Sequence, residues 1–242
     1  MTDVPPWLRR IAATVPTDAT GRNPVLSRFA STAMRARQAA VLVLFGGAPD
    51  AVDLPDDAQV LLTQRAATMR KHSGQVAFPG GATDPDDDGP VDTALREAHE
   101  ETGLDPAGVQ TLSVLPKIFV PPSRFDVTPV VAYWRTPSPV GVVDAAEADR
   151  VMAVPLTELI EPANRFQVRH PLGYQGPAFA VDGTVVWGFT GGILAGLIGI
   201  SGWEQKWDVH DVRDLNTALE AVGMTPPVLP AQDSPSLRNG EQ

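Results

Sequence analysis

The 242 residues carry 29 Asp and Glu against 19 Lys and Arg, a net charge of −10, with 43% hydrophobic and 20% charged residues. This balance excludes wholesale disorder, and it excludes a sequence-independent nucleic-acid binder, which needs a basic face to displace phosphate counterions. Without cysteine there is no disulfide frame, thiolate nucleophile or Cys-ligated zinc, and the start Met1-Thr2-Asp3-Val4-Pro5-Pro6 lacks the basic and apolar regions of a secretory leader, so a cytoplasmic protein is expected.

Trp7 to Val15 reads as a short amphipathic helix inside an N-terminal helical extension, residues 1–37. Ala39 to Phe45 is a continuous apolar run ended by Gly46-Gly47, short enough for a strand buried on both faces. Strands are expected over 58–63 and 74–78, the second stopped by Pro79-Gly80-Gly81. A helix follows over 91–102 with Gly103 as its stop, turning Ala94, Leu95 and Ala98, and then Leu104, inward. Residues 111–120 and 127–134 read as strands parted by Pro121-Pro122-Ser123, and 151–154 as another before a short helix opened by Pro155-Leu156. Strands at 165–168, 178–181 and 184–187, with a turn at Asp182-Gly183, feed a glycine-rich helix over 188–200.

Gly188, Gly192 and Gly196 in that helix repeat the GxxxG spacing of membrane helices. The apolar run from Val185 to Ile200 is shorter than the roughly 20 residues of a bilayer span, so a core helix and no membrane partner are expected. Elements that mix without regular βαβ alternation argue for the α+β class. Residues 201–225 read as a C-terminal extension, and 226–242, with four prolines among polar residues, as a disordered tail.

Between Asp84 and Glu101 stand eight acids and one base, Arg96. At 100° per residue Glu97, Glu100 and Glu101 share an arc of about 100° on one helix face. Like charges there repel, and a hard divalent cation turns the repulsion into attraction. Asp84-x-Asp86-x-Asp88-Gly89 imitates an EF-hand start, yet the twelfth position is Leu95 where a bidentate Glu is required. His99-Glu100 opens like a zinc-protease HExxH, but the second His position is Gly103.

Arg96-Glu97-Ala98-His99-Glu100-Glu101-Thr102-Gly103-Leu104 matches the REUxEExGU core of the Nudix box, U being aliphatic, and the chain resembles the Nudix hydrolases. The usual Gly-x5-Glu-x7-Arg spacing falls on Ala82 and Asp88, so the preceding loop is one residue longer and its early Glu is replaced. The stretch from Leu61-Leu62-Thr63-Gln64-Arg65 through Arg70-Lys71-His72-Ser73-Gly74-Gln75-Val76-Ala77-Phe78-Pro79-Gly80-Gly81 is similar to the LLTxRSxxLRxHxGQVxFPGG motif of the coenzyme A pyrophosphatase branch. Ala66 and Met69 are its departures. Val127-Thr128-Pro129 and Val186-Trp187-Gly188-Phe189-Thr190 extend the likeness, which spans residues 38–200, the expected hydrolase domain.

The resemblance implies a mixed β-sheet sandwiched between helices (α/β/α) and cleavage of the diphosphate of coenzyme A or acyl-coenzyme A to 4′-phosphopantetheine and adenosine 3′,5′-bisphosphate. It implies Mg²⁺ or Mn²⁺ on Glu97 and Glu101, with Glu100 sharing a metal or acting as base, the Gly81 carbonyl completing the shell and Arg96 orienting a carboxylate. Arg65, Arg70, Lys71 and His72, in a stretch without acids, are the candidates for the substrate phosphates, and Gln75 for an adenine edge. Phe78 and Trp187 read as core. Two alternatives share the fold: a hydrolase of ADP-ribose, NADH or a nucleoside triphosphate, and a nucleotide sensor without catalysis. A homodimer is compatible with the small-residue face of helix 188–200.

Overall fold

A computed structural model describes residues 4–13, 36–67, 74–121, 123–171 and 173–227. A single 3-10 turn at Pro6–Leu8 leads into α1 (Arg9–Ala13), and the central strand β1 (Arg37–Gly46) follows. Next come β2 (Gln59–Arg65), β3 (Val76–Ala77), β4 (Gly80–Ala82) and α2 (Pro90–Thr102). The chain continues through β5 (Val109–Val114), β6 (Ile118–Val120), β7 (Phe125–Trp134), β8 (Ala148–Pro155) and α3 (Leu156–Ile160). It closes with β9 (Arg165–Arg169), β10 (Gln175–Val181), β11 (Thr184–Val186), α4 (Gly188–Ser201), β12 (Val212–Asp214) and α5 (Leu215–Glu220).

Strand β1 organises the large mixed sheet. It runs parallel to β7 from Arg37↔Phe125 to Phe45↔Tyr133. Along its other edge it is antiparallel to β4 at residues 39–41 and to β2 at residues 45–46. Strand β3 pairs with β2, so the chain crosses from β2 to β1 at Phe78-Pro79, where Leu42 N donates to the Pro79 carbonyl at 2.8 Å. This crossing delivers Gly80 and Gly81 to the sheet beneath α2.

The apolar run in β1 is buried on both faces, as its composition requires. Ala40, Leu42 and Leu44 turn one way and, with Leu61, Val130, Ala132 and Trp134, receive Ala94 and Ala98 of α2 and the following Leu104. Val43 and Phe45 turn the other way into the main core with Val60, Leu62, Val131 and Met152. Truncating a fully buried side chain such as Leu42 or Phe45 to Ala costs about 3–5 kcal/mol, part of it for the cavity left behind.

The second face differs from a simple helical layer. It is covered by α4 and by a four-stranded sheet in the order β11-β10-β9-β12. Both expected extensions join this core: Trp7, Leu8 and Ile11 from the N-terminal segment, Leu215, Leu219 and Met224 from the C-terminal one. Strand β12 and helix α5 lack a counterpart in the sequence reading. The expected strand 111–120 is two, split where Pro116 cannot donate to the ladder. Helix α4 is a 14-residue core helix, and among the described residues no helix is long and apolar enough to cross a membrane. Beyond Pro227 the expected tail lies outside the described residues.

Candidate active site

Helix α2 starts on Gly89 and Pro90 and ends where Gly103, at φ 73°, takes the left-handed conformation and donates to the His99 carbonyl. His99 Nδ1 donates to the Leu104 carbonyl at 2.8 Å, since a carbonyl can only accept. The helix is thus fixed at both ends over β1, and the three glutamates sit on a rigid element.

Ahead of it the Asp-rich loop folds back on itself. Asp87 accepts from Asp84 N at 2.9 Å and from Thr93 Oγ1 at 2.8 Å, and Arg96 forks onto its carboxylate through Nε and Nη2 at 2.9 and 3.0 Å. The Arg96 bonds hold Asp87 well below the usual carboxylate range, and the arginine is raised in return. Arg96 also donates to the Ala82 carbonyl at 3.1 Å, to Glu100 at 3.1 Å and to Glu97 at 3.3 Å. It therefore ties loop, strand β4 and helix together, and orients two carboxylates besides.

Glu97 and Glu101 lie one turn apart over β4. Burial raises the pKa of Glu97 against the pull of Arg96. A Cβ built on Gly81 would stand 2.5 Å from the Glu97 carboxylate, so the missing side chain there makes the cradle for that group. Glu101 accepts from Gly80 N at 3.2 Å. Burial pushes it up to about 7; Gly80 and Arg65 oppose the shift, whereas the charges of Glu97 and Glu147 add to it. Glu100 is exposed and paired only with Arg96 among the described residues. No three Asp, Glu or His side chains among the described residues converge as a ready-made cage.

The ladder phase decides which backbone groups face these carboxylates. Thr83 N donates to Gln38 O and Leu42 N to Pro79 O, so the alternation makes Ala40 and Gly81 a hydrogen-bonded pair. The Gly81 carbonyl accordingly turns to β1, a correction to the expected ligand. Gly80, whose N–H reaches Glu101, is the residue whose backbone meets the helix.

Of the expected substrate contacts, Arg65 arrives at the site. It lies on the α2 face of β2 with Leu61 and Thr63, acts on Glu101, and its buried Nε has no partner among the described residues. Gln75 sits beside it in the β2–β3 hairpin, its carbonyl accepting from Arg65 N. Arg70, Lys71 and His72 lie outside the described residues. Phe78 is core, and Trp187 is half-buried against His170 and Tyr174. The sequence reading missed Asp87 as the partner of Arg96, and Glu147. Glu147 stands at the end of the β7–β8 loop, where its carbonyl accepts from Ala66 N.

A NUDIX domain profile matches residues 44–172. The chain is similar to the uncharacterized Nudix hydrolase NudL of Cronobacter sakazakii, at 40% identity over 178 residues covering 71% of this chain and 84% of that protein. To NudL of Escherichia coli it is 36% identical over 165 residues, covering 65% and 79%. Among solved structures it is similar to the Nudix hydrolase RenU of M. smegmatis, with 25% identity, 51% and 73% coverage and a TM-score of 0.41.

Proposed function

Because this chain belongs to the Nudix family, we propose that it hydrolyses the diphosphate bridge of coenzyme A or acyl-coenzyme A, with Mg²⁺ or Mn²⁺ as the required cation. The observation that carries this reading is the pair Glu97 and Glu101, two acids raised by burial on successive turns, while the nearest base, Arg96, is already forked onto Asp87. Such a donor set fits a hard cation. Glu97 and Glu101 would hold it, with Glu101 oriented by the Gly80 N–H. Among the described residues there is no complete protein cage, so water and substrate phosphate would fill the remaining positions, as Mg²⁺ prefers.

A diphosphate resists hydrolysis because its negative oxygens repel the nucleophile. A cation held by these acids would neutralise those oxygens and lower the pKa of its water. The protein's own part is positional. Asp87 and Arg96 lock the helix to β4, and Gly81 leaves room for the Glu97 carboxylate. Arg65 supplies positive charge and an unused donor for a phosphate oxygen. Glu100 on the outer side of α2 and Glu147 at the end of the β7–β8 loop are two further acids whose charges act on the pair, and either would serve as base for the attacking water.

The upstream motif around Arg65 and Gln75 supports coenzyme A over other diphosphates. The test is incubation with Mg²⁺ and, separately, coenzyme A, ADP-ribose, NADH and nucleoside triphosphates, with products identified by mass spectrometry. The expected products are 4′-phosphopantetheine and adenosine 3′,5′-bisphosphate, and chelation abolishes them. Inert coenzyme A beside rapid turnover of ADP-ribose overturns the substrate assignment.

A further inference from the structure

Strands β2 and β8 run antiparallel in one register from Gln59↔Pro155 to Gln64↔Arg150, and the register then slips between Gln64 and Arg65. Continued without a slip, the ladder would set Asp149 opposite Arg65 and Ala148 opposite Ala66. Instead Ala148 stands opposite Arg65, and Ala66 N donates at 2.9 Å to the carbonyl of Glu147, one residue before the acceptor that the unbroken register would supply. Asp149 is therefore the extra residue of a β-bulge beside the carboxylate site. Its side chain accepts from Ala67 N at 2.9 Å, which ties the bulge to the end of β2. Bulges next to active sites serve to re-aim side chains.

The exchange changes what faces Arg65. Residues directly opposite in an antiparallel pair share a face, so an acid in that place would take the guanidinium in a cross-strand ion pair. Ala148 is 5% exposed and offers it no polar atom. Arg65 acts on Glu101, and its buried Nε has no partner among the described residues. Its backbone is held from the β3 edge, where the N–H donates to Gln75 O at 3.0 Å and the carbonyl accepts from Gly74 N at 3.1 Å. On the β8 edge the chain after the slip is held by the bonds from Ala66 and Ala67, and the second of these rests on the Asp149 side chain.

We propose that Asp149 is a positioning residue for substrate binding: it holds the bulge that keeps an acid from the place opposite Arg65, and so leaves the arginine to a phosphate oxygen. This assignment rests on the diphosphate reading of the carboxylate site. The experiment is the steady-state kinetics, with Mg²⁺, of the wild type, Asp149→Ala, Asp149→Asn, Arg65→Gln and the Arg65→Gln, Asp149→Ala double variant on coenzyme A, ADP-ribose and NADH. Asn keeps an oxygen for the Ala67 N–H and Ala does not. Asp149→Ala raises KM by about fivefold with little change in kcat, whereas Asp149→Asn stays within about twofold of the wild type. In the Arg65→Gln background the Ala substitution adds less than about twofold, because it acts through the arginine. An unchanged KM in Asp149→Ala, an Asn variant as impaired as the Ala variant, or the full further rise in the double variant overturns the assignment alone. A wild type that cleaves none of the three diphosphates overturns the site reading and the assignment together.

Discussion

Replacing Gly81 with Ala separates the shape of the site from the stability of the fold. The new Cβ stands 2.5 Å from Cδ and both carboxylate oxygens of Glu97, where ordinary contact is 3.4–4 Å. The carboxylate must therefore retreat by about 1 Å. It is the free end of a flexible side chain, so the retreat costs only a rotamer adjustment, about 1 kcal/mol. The backbone is not strained, because Gly81 is not among the residues with positive φ. A displacement of 1 Å in a positioning group costs about a hundredfold in rate. The expected result is a kcat/KM lower by about a hundredfold with Tm within a few degrees of wild type. Gly80→Ala is the contrast: φ is 154°, and a Cβ would meet the Ala40 carbonyl oxygen and lie 2.6 Å from Val41 Cα, both backbone. That variant loses about 3 kcal/mol or more. Gly141→Ala, with nothing within 4 Å, changes neither quantity. Activity is read with saturating Mg²⁺, and stability by thermal melting in chelator. A Gly81→Ala enzyme with wild-type kcat/KM refutes the claim that this cradle positions Glu97.

Glu101 gives the metal-free protein a pH-dependent stability of a particular sign. The folded form holds its proton up to about 7, while the unfolded chain releases it near 4.5, so stability falls as pH rises between these values, by about 3 kcal/mol in total. Denaturant unfolding in chelator at pH 5 and pH 7.5 measures the drop, and Glu101→Gln should flatten it; an equal drop in both proteins removes Glu101 as its source. Arg96→Lys cannot reproduce the fork on Asp87 together with the bond to Ala82, so metal affinity falls by about 10–100-fold and Tm drops, which calorimetric Mn²⁺ titration and melting can check. Arg65→Gln removes the unused donor beside the carboxylates: KM rises on the order of tenfold with little change in kcat, and an unchanged KM refutes its contact with phosphate.

What was legible in the sequence was local and periodic. The i, i+3, i+4 spacing of Glu97, Glu100 and Glu101, the stop at Gly103 and the doubly buried run in β1 follow from helix and strand periods alone. Asp87 was not legible. Four Asp residues crowd positions 84–88, and only the turn in which Asp87 N donates to Asp84 O decides which carboxylate meets Arg96. Strand β12 escaped for another reason: its three residues pair in parallel with β9, a contact between distant segments that leaves no alternation long enough to detect. Glu147 reaches Glu101 only because β8 lies along β2 and ends its register at Arg65↔Ala148. No spacing rule connects two acids joined through a sheet.

The distribution of charge around α2 explains why this cluster calls for a cation while much of the acidity nearby does not. Arg96 answers the loop: Asp87 takes its fork, and the Ala82 carbonyl and the exposed Glu100 take further donors. What it gives Glu97 does not offset burial, since that acid remains raised. Glu101 receives one backbone N–H and the field of Arg65 against burial and two like charges. The fold thus commits Arg96 to architecture and leaves the two inner acids under-compensated. Burial disfavours the charged form of both acids, and Glu101 holds its proton up to about 7. A divalent cation held by Glu97 and Glu101 would displace that proton and remove the repulsion at once, so metal binding, proton release and stability would be linked through the same two side chains.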